Sequence, residues 1–307
     1  MSTAVEVSMF ERMLVPLDGS PQAESVLYQA HRLLCGRKGE VVLFHAKDES
    51  DASLNPGAVD KYLKGVESRL SPFGARVRRI LGTGPFESAL AETIRSEKIS
   101  MVALSSHGRL TASATPVAGA VEKIVRGCEV PVLVTRAFQH DAEGGLVPSK
   151  CEPSTIRRIL VPMDGSSACE AVMPAARDLA LLLNAMVVLL HVSPDYREGS
   201  DFVGSRVSGR PTGPMPGKEA SSADRLQFAA KTFSAAGVET MTLVLGGDPV
   251  KTILEFARPS AVDLIAMTTR GRTGLAQRLI GSVAQKVLKE TLLPTLLVRA
   301  SDAQCSV

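Results

Sequence analysis

The chain has 307 residues, a formal net charge of +3 and only 4% aromatic residues, with no tryptophan. At ~150 residues per domain this length predicts two domains, and 45% hydrophobic residues indicate a globular protein with an aliphatic core. The composition excludes a disordered chain, a collagen-like repeat and a disulfide scaffold, and the small charge with few aromatic residues argues against a nucleic-acid-binding surface.

The first half of the chain alternates short apolar segments, typical of buried strands, with segments whose apolar residues recur at helical spacing. Ser20 is predicted to cap the first helix, with Pro21 at its first position. We predict strands over 12–17, 41–46, 76–81, 101–105 and 132–135, and further helices over 62–70, 87–97 and 121–126. The second half repeats this pattern, with strands near 158–163, 186–192, 239–245, 263–268 and 295–299.

The sequence itself is repeated. Residues 13–20 read MLVPLDGS and reappear as ILVPMDGS at 159–166, an offset of 146. Residues 130–136 read VPVLVTR and meet LPTLLVR at 293–299, now at an offset of 163. The offset grows because the second copy carries an insertion from Ser193 to Ser222, whose Pro, Gly and Ser content predicts a long mobile loop.

A period of this length indicates a duplicated domain rather than a solenoid. We predict domain 1 over residues 1–138, a linker with Gly and Pro residues over 139–155, and domain 2 over 156–301. Strands that are apolar on both faces and separated by helices imply parallel sheets covered on both sides. The predicted fold is therefore two doubly wound α/β domains in tandem, each with five parallel strands.

Ligands of such folds bind outside the carboxyl ends of the strands, where the chain order reverses. In the second copy, the loop after strand four contains Gly271 and, nine residues later, Gly281 and Ser282 at the start of a helix. Glycine amides and a helix N-terminus suit a phosphate group. The alternative, which stays open, is a structural loop whose glycines serve turns and whose Ser282 is only a helix cap.

Two aspartates, Asp18 and Asp164, follow the first strands of the two copies. A carboxylate at that place can accept hydrogen bonds from ribose hydroxyls. The alternative is an Asx turn or helix cap, which the Asp-Gly-Ser sequence also favours. Likewise, His45 and His191 end the second strands, and we favour hydrogen-bonded core histidines over catalytic bases. Arg270 can meet a phosphate or be solvated.

Several other classes of site are missing from the sequence. It contains no G-x-x-x-x-G-K-[ST] or G-x-S-x-G motif and no His, Cys or Asp cluster with metal-ligand spacing, so we predict no catalytic residue and no metal site. Five scattered cysteines without C-x-x-C, and the lack of a signal-peptide pattern, predict a reduced, cytoplasmic setting. The longest apolar run, 179–192, is shorter than the ~20 residues of a membrane span.

The repeated [IL]-L-V-P-x-D-G-S strand, the second strand ending in His, the Gly-containing loop and the Pro-x-[LV]-[LV]-V-x-Arg finish resemble the universal stress protein family over both halves. The resemblance implies flavodoxin-like domains of five parallel strands, often dimeric, in a cytoplasmic stress-response protein. It also implies, for a subset of the family, ATP bound through a G-x2-G-x9-G-[ST] loop, the aspartate after strand one and the backbone at the end of strand two.

The second copy keeps the spacing of this loop, although Thr268 replaces its first glycine. If that position requires a positive φ, the threonine weakens binding. The resemblance implies a site for ATP, with Mg²⁺, at the following residues: Pro162, Met163, Asp164, Val192, Met267, Thr268, Arg270, Gly271, Gly281, Ser282 and Val283. In the first copy the loop is degenerate, and the corresponding remnants are Asp18, Ala46, Ser105 and Gly108.

The resemblance also implies that the fifth strands meet across a dimer axis, which predicts an intramolecular pseudo-dimer of the two domains and leaves a homodimer open. Three functions remain as alternatives. The leading one is a stress-response module that binds an adenine nucleotide in domain 2. The second is an interaction scaffold that binds no nucleotide. The third is a slow ATP hydrolase, for which Asp164 is the only obvious candidate carboxylate.

Overall fold

The computed structural model describes residues 10–34, 39–47, 56–71, 74, 76–106, 120–136, 138–140, 146–148, 156–193, 205–206, 222–257, 262–269 and 280–300. The chain divides into two units, Met1–Glu152 and Pro153–Val307. The boundary between them falls inside the stretch predicted as a linker.

The first unit contains five parallel strands with helices between them. Its elements are β1 (Arg12–Pro16), α1 (Pro21–Glu24), α2 (Val26–Leu34), β2 (Glu40–Lys47), α3 (Pro56–Leu70), β3 (Arg76–Thr83), α4 (Phe86–Ser96), β4 (Met101–Ser105), α5 (Ala120–Gly127) and β5 (Val132–Thr135). The strand order within this unit is β5-β4-β1-β2-β3, and every pairing is parallel. The doubly wound α/β class predicted from sequence is thus confirmed for this unit.

The burial of each strand follows its place in the sheet. The apolar side chains of β1 and β4, which lie inside the sheet, are buried along both strands. The strand β3 ends the order in this unit and carries charged side chains. Its Arg78 pairs with Glu40 and Glu97, and Arg79 pairs with Glu67 at 2.7 Å. Charges on a terminal strand disfavour pairing with a further strand.

The stretch predicted as a linker contains a small antiparallel ribbon. Its strands are β6 (Phe138–His140) and β7 (Leu146–Pro148), with Gln139 opposite Val147. The remaining residues of that stretch up to 155 lie outside the described ones.

The second unit repeats the arrangement. Its elements are β8 (Arg158–Pro162), a 3₁₀ helix (Ser167–Val172), α6 (Met173–Leu183), β9 (Met186–Ser193), β10 (Ser205–Arg206), α7 (Ser222–Ala235), β11 (Thr240–Gly246), α8 (Pro249–Ala257), β12 (Leu264–Thr268), α9 (Ser282–Glu290) and β13 (Thr295–Val298). The order is β10-β11-β9-β8-β12-β13, in which only β10 is antiparallel to its neighbour. The predicted five parallel strands are therefore present, with one short strand added.

Two details of the second unit differ from the sequence-based expectation. The insertion predicted as one long loop, 193–222, contains β10, and α7 already begins at Ser222. The first helix of the second copy begins as a 3₁₀ helix, capped by Ser166, rather than as an α-helix. The first copy has Pro21 at the first helical position, where proline favours the helix, and the second copy has Ser167 there. None of the helices in the described ranges is long and apolar enough to cross a bilayer.

Candidate functional site

A cavity opens in the second unit where the chain order of its sheet reverses. The connection from β8 leads to β9 on one side, whereas β12 pairs with the other side of β8, so the loops that follow β8 and β12 diverge. The cavity at this point has a volume of about 200 Å³. It is lined by Pro162, Met163, Asp164, Cys169, Leu190, Val192, Pro249, Ile253, Met267, Thr268, Gly281, Ser282, Val283 and Ala284.

The structure brings together nine of the eleven residues that the sequence predicts for this site. These are Pro162, Met163, Asp164, Val192, Met267, Thr268, Gly281, Ser282 and Val283. The other two, Arg270 and Gly271, lie outside the described residues. The nine come from four separate parts of the chain, which meet because the carboxyl ends of parallel strands share one edge of the sheet.

Asp164 stands in a tight turn between β8 and the 3₁₀ helix. Its Oδ1 accepts hydrogen bonds from the backbone N–H of Ser166 at 2.9 Å and from the Ser166 hydroxyl at 2.6 Å. The Ser166 hydroxyl oxygen in turn accepts from the N–H of Cys169 at 3.3 Å and caps the 3₁₀ helix. The Asx turn considered from sequence is therefore present, and the same carboxylate also borders the cavity.

The start of α9 also borders the cavity. Gly281 is its N-cap, and Ser282 is the first helical residue, so the alternative that Ser282 is the cap is wrong. Gly281 has φ −58° and ψ 149°, which any residue can adopt, and no side chain caps the helix. Because the first N–H groups of an α-helix lack acceptors within the helix, this end suits an anion.

Thr268, which stands where the related loops have a glycine, occupies the last position of β12. Among the described residues other than glycine, positive φ is confined to Lys98 and Asn184. The backbone at Thr268 is thus extended, and a side chain there carries no conformational strain. The condition under which the threonine would weaken the site, a positive φ at this position, is therefore not met.

The walls between these two polar ends are apolar. Met163, Leu190, Ile253 and Met267 are buried and face the cavity. Cys169 adds a thiol, and its burial, followed by the charge of Asp164, raises the pKa of this thiol to about 12. The site therefore combines an apolar space with a carboxylate and a helix N-terminus at its border.

Sequence reasoning missed five lining residues: Cys169, Leu190, Pro249, Ile253 and Ala284. Leu190 and Ala284 are close neighbours in sequence of the predicted Val192 and Val283. Pro249 and Ile253 belong to α8, which starts at the carboxyl end of β11, so the rule applied to strands one and four would have found them at strand three. Cys169 lies in the 3₁₀ helix, three residues after its cap.

The two strand-end histidines are hydrogen-bonded to backbone carbonyls. Nδ1 of His191 lies 2.8 Å from the carbonyl oxygen of Met163, and Nδ1 of His45 lies 2.7 Å from that of Leu17. Each bond joins the second strand of its unit to the residue after the first strand. The prediction of hydrogen-bonded histidines is confirmed.

The first unit repeats the turn but differs around it. Oδ1 of Asp18 accepts from the N–H and hydroxyl of Ser20, as Asp164 does from Ser166. Ser105, the counterpart of Thr268, accepts a hydrogen bond from the Ser25 hydroxyl at 3.1 Å. Ala46 is the penultimate residue of β2, and Gly108 lies outside the described residues.

The buried ring of Phe44 replaces Leu190 in this first unit. It lies against Gly82 and faces the ring of Phe86, with 6.2 Å between the centroids. The counterpart of a cavity-lining leucine is therefore an aromatic residue that packs into the interior of the first unit.

No group of three or more His, Cys, Asp or Glu side chains suited to a metal occurs within the described residues. At the cavity of the second unit, Asp164 is the one carboxylate among the described lining residues.

A model described as the universal stress protein family matches the chain twice, over residues 9–136 and 155–299. Universal stress protein MJ0531 of Methanocaldococcus jannaschii is 32% identical over 143 residues, which cover 47% of this chain and 82% of that protein. Universal stress protein Slr1230 of Synechocystis sp. is 21% identical over 254 residues, which cover 82% of this chain and 76% of that protein.

Among solved structures, a universal stress protein from Archaeoglobus fulgidus has a TM-score of 0.63 at 19% identity and covers 97% of this chain and 100% of its own. At this identity the likeness concerns the fold.

Proposed function

The chain belongs to the universal stress protein family, and from that premise we propose that its second unit binds an adenine nucleotide, as a regulatory module of the stress response. The single observation that carries the proposal is the cavity of about 200 Å³ at the reversal of strand order. Nine residues expected for a nucleotide site on sequence grounds alone line this cavity.

The chemistry of the lining suits the three parts of a nucleotide. The apolar walls formed by Met163, Leu190 and Met267 suit a planar base, which gains free energy by leaving water. The carboxylate of Asp164 can accept hydrogen bonds from ribose hydroxyls. The N-terminus of α9, with the Ser282 hydroxyl, can donate to a phosphate.

Mg²⁺ fits this arrangement as an ion that binds together with the phosphates rather than as one that the protein binds by itself. Mg²⁺ is commonly held by one or two carboxylates together with phosphate oxygens and water. Asp164 is the described carboxylate that would take part. The ion would neutralise phosphate charge, and the proposal does not include hydrolysis.

The first unit is proposed not to bind the nucleotide. It keeps the Asp18 turn, but its loop has lost the final Gly-Ser pair, with Ala118 and Gly119 in place of Gly281 and Ser282. Phe44 also replaces Leu190. The proposal therefore gives the two units different roles. The second unit binds the ligand, and the first supports the assembly.

The substitution Gly281→Val tests the proposal. Because Gly281 has φ −58°, the backbone accepts a side chain, and the new methyl groups stand at the helix N-terminus where the phosphate is expected. We expect the affinity for ATP to fall at least ~10-fold, equivalent to about 1.4 kcal/mol, in isothermal titration calorimetry. The melting temperature should stay close to that of the wild type.

Ala118→Val is the matched control, because it introduces the same valine at the corresponding position of the first copy, and it should leave ATP affinity unchanged. Mass spectrometry of small molecules released from the purified wild-type protein provides a second readout. Wild-type protein that holds no adenine nucleotide and gives no heat with ATP and Mg²⁺ overturns the proposal. Equal affinities of the wild type and Gly281→Val overturn the assignment of the site.

A further inference from the structure

The first turn of α7 packs directly against the Asp164 turn. Gly165, with φ +78°, lies so close to Ser222 that a Cβ on the glycine would stand 2.4 Å from the Ser222 Oγ and 2.9 Å from its Cβ. Contacts that short do not occur between unstrained atoms, so Gly165 has no room for a side chain. The glycine thus serves two requirements, its backbone conformation and the approach of α7.

A buried ion pair makes a second connection between α7 and this region. Nη1 of Arg225 donates to Oε1 of Glu170 at 2.7 Å, and the two side chains are only 6% and 7% exposed. Taking two charges out of water is costly, and removing one partner of such a pair leaves an uncompensated buried charge. The pair therefore holds the 3₁₀ helix against α7, because the two charges must stay within hydrogen-bonding distance.

The pair lies one residue from the wall of the cavity. Glu170 follows Cys169, which lines the cavity and donates from both its N–H and its thiol to Ser166, the thiol reaching the Ser166 carbonyl at 2.8 Å. Ser166 holds Oδ1 of Asp164. A continuous series of short contacts thus runs from Arg225 on α7 to the carboxylate at the cavity.

Among its described residues, the first unit lacks the glycine contact, and its corresponding ion pair is more exposed. Gly19 has the same positive φ as Gly165, yet a Cβ placed on it would meet nothing within 4 Å. Glu24, the counterpart of Glu170, pairs instead with Arg69, whose side chain is 60% exposed. Solvent-exposed ion pairs of this kind contribute little to stability. The support of the aspartate turn by the following helix is therefore a feature of the unit that has the cavity.

We propose that the first turn of α7 positions the Asp164 turn for the nucleotide, with Ser222 and Arg225 as positioning residues. This inference rests on the proposed nucleotide-binding function for its effect on affinity. The part of the inference that concerns structure, namely that α7 holds the turn in place, depends only on the contacts of Gly165 and Glu170. Segment 207–221, which precedes α7, lies outside the described residues.

The test uses the full chain with Glu170 and Arg225 both replaced by methionine. Replacing both partners by apolar residues of similar length leaves no unpaired charge, so the fold is retained. Hydrogen exchange of the peptide spanning 163–170 is measured without ligand, and ATP affinity is then measured by calorimetry below the melting temperature. We expect exchange of the Ser166 and Cys169 amides to accelerate at least ~10-fold and ATP affinity to fall several-fold.

Arg69→Met is the matched control, because it breaks the exposed pair at the corresponding place in the first unit. It should leave both measurements unchanged. A folded double variant with wild-type exchange and wild-type affinity overturns the inference, since it would give the pair a role in stability only.

The two proposals fail in distinguishable ways. Wild-type protein that binds no ATP overturns the nucleotide proposal, and the exchange measurement then decides alone whether α7 positions the turn. Faster exchange with unchanged ATP affinity would show that α7 holds the Asp164 turn in place. It would overturn the inference that this contact affects nucleotide binding.

Discussion

At the scale of single residues, the two copies differ around one glycine. Gly19 and Gly165 occupy equivalent turns, with φ of +80° and +78°. Both precede a serine that caps the next helix. What separates them is the space outside the turn, which is open at Gly19 and filled by Ser222 at Gly165. The same short motif therefore has a different tolerance for substitution in each copy.

Alanine at these two glycines gives the first prediction. Gly19→Ala should lower the free energy of unfolding by about 1–2 kcal/mol, the cost of a left-handed conformation for a residue with a Cβ. Gly165→Ala carries the same cost and also drives a Cβ into Ser222, so it should lose about a further 1–3 kcal/mol. Chemical denaturation of the two variants measures both values. Equal losses would contradict the close contact with α7.

The Cys169 thiol gives a prediction about pH. Burial raises its pKa from 9.0 to about 12, so the unfolded chain releases this proton at lower pH than the folded one. The thiol's contribution to stability is complete below pH 9.0 and is lost as the pH rises towards about 12. Over this window the free energy of unfolding should fall with pH, and Cys169→Ala should reduce the slope.

Alkylation followed by mass spectrometry checks the same point directly. Below pH 9.0, iodoacetamide should modify Cys169 far more slowly in the folded protein than in the unfolded one. Cys128 is an internal reference, because burial alone raises its pKa to about 12 as well. Rapid labelling of Cys169 in the folded protein would show that the wall of the cavity is open to solvent.

Packing between elements differs in the two units where β2 and β9 end. In the first unit the ring of Phe44 lies over Gly82 of β3 and beside Phe86 of α4, whereas Leu190 of β9 borders the cavity. The glycine on β3 makes room for the ring. A larger packed side chain therefore stands in the first unit at the place where Leu190 borders the cavity in the second.

Two glycine-to-alanine substitutions test this packing at the scale of elements. A Cβ on Gly82 would lie 2.6 Å from the Phe44 ring, so Gly82→Ala should lower the free energy of unfolding by about 1–3 kcal/mol. Gly65 lies within α3 with nothing near its Cβ position, so Gly65→Ala should raise stability by about 0.5–1 kcal/mol. Thermal and chemical denaturation measure the two changes in the free energy of unfolding, which should have opposite signs. A neutral Gly82→Ala would mean that the ring is not held there.

The predictable elements are those whose pattern is local. Buried strands such as β1 and β12 are short apolar runs, and the Ser20 cap with Pro21 is a contiguous signal, so the sequence is sufficient for both. The ribbon of β6 and β7 and the short strand β10 were not predicted, because backbone pairing rather than apolar periodicity defines them. Local sequence thus predicts burial better than it predicts short edge pairings.

The same limit applies to the site. Asp164, Gly281 and Ser282 were predicted because a known motif places them at the carboxyl ends of strands. Pro249 and Ile253 follow strand three, where the rule used for strands one and four also holds, whereas the Glu170–Arg225 pair depends on which helix packs beside the turn. Residues 55 positions apart in the chain form that pair, and no periodicity indicates it.

At the scale of the whole molecule, the duplication has produced two units with one architecture and unequal sites. The cavity, the packed Gly165 turn and the buried ion pair all belong to the second unit. The first unit has the open Gly19 turn and the packed Phe44 ring. The pseudo-dimer expected from the family resemblance stays a prediction.

The number of ATP molecules bound per chain tests the central claim most directly. Nucleotide-free full-length protein is titrated with ATP and Mg²⁺ in a calorimeter, and the account predicts a stoichiometry of one because the nucleotide site is proposed for the second unit and not for the first. A stoichiometry of two would contradict the inequality of the units. The absence of any binding would contradict the nucleotide site itself.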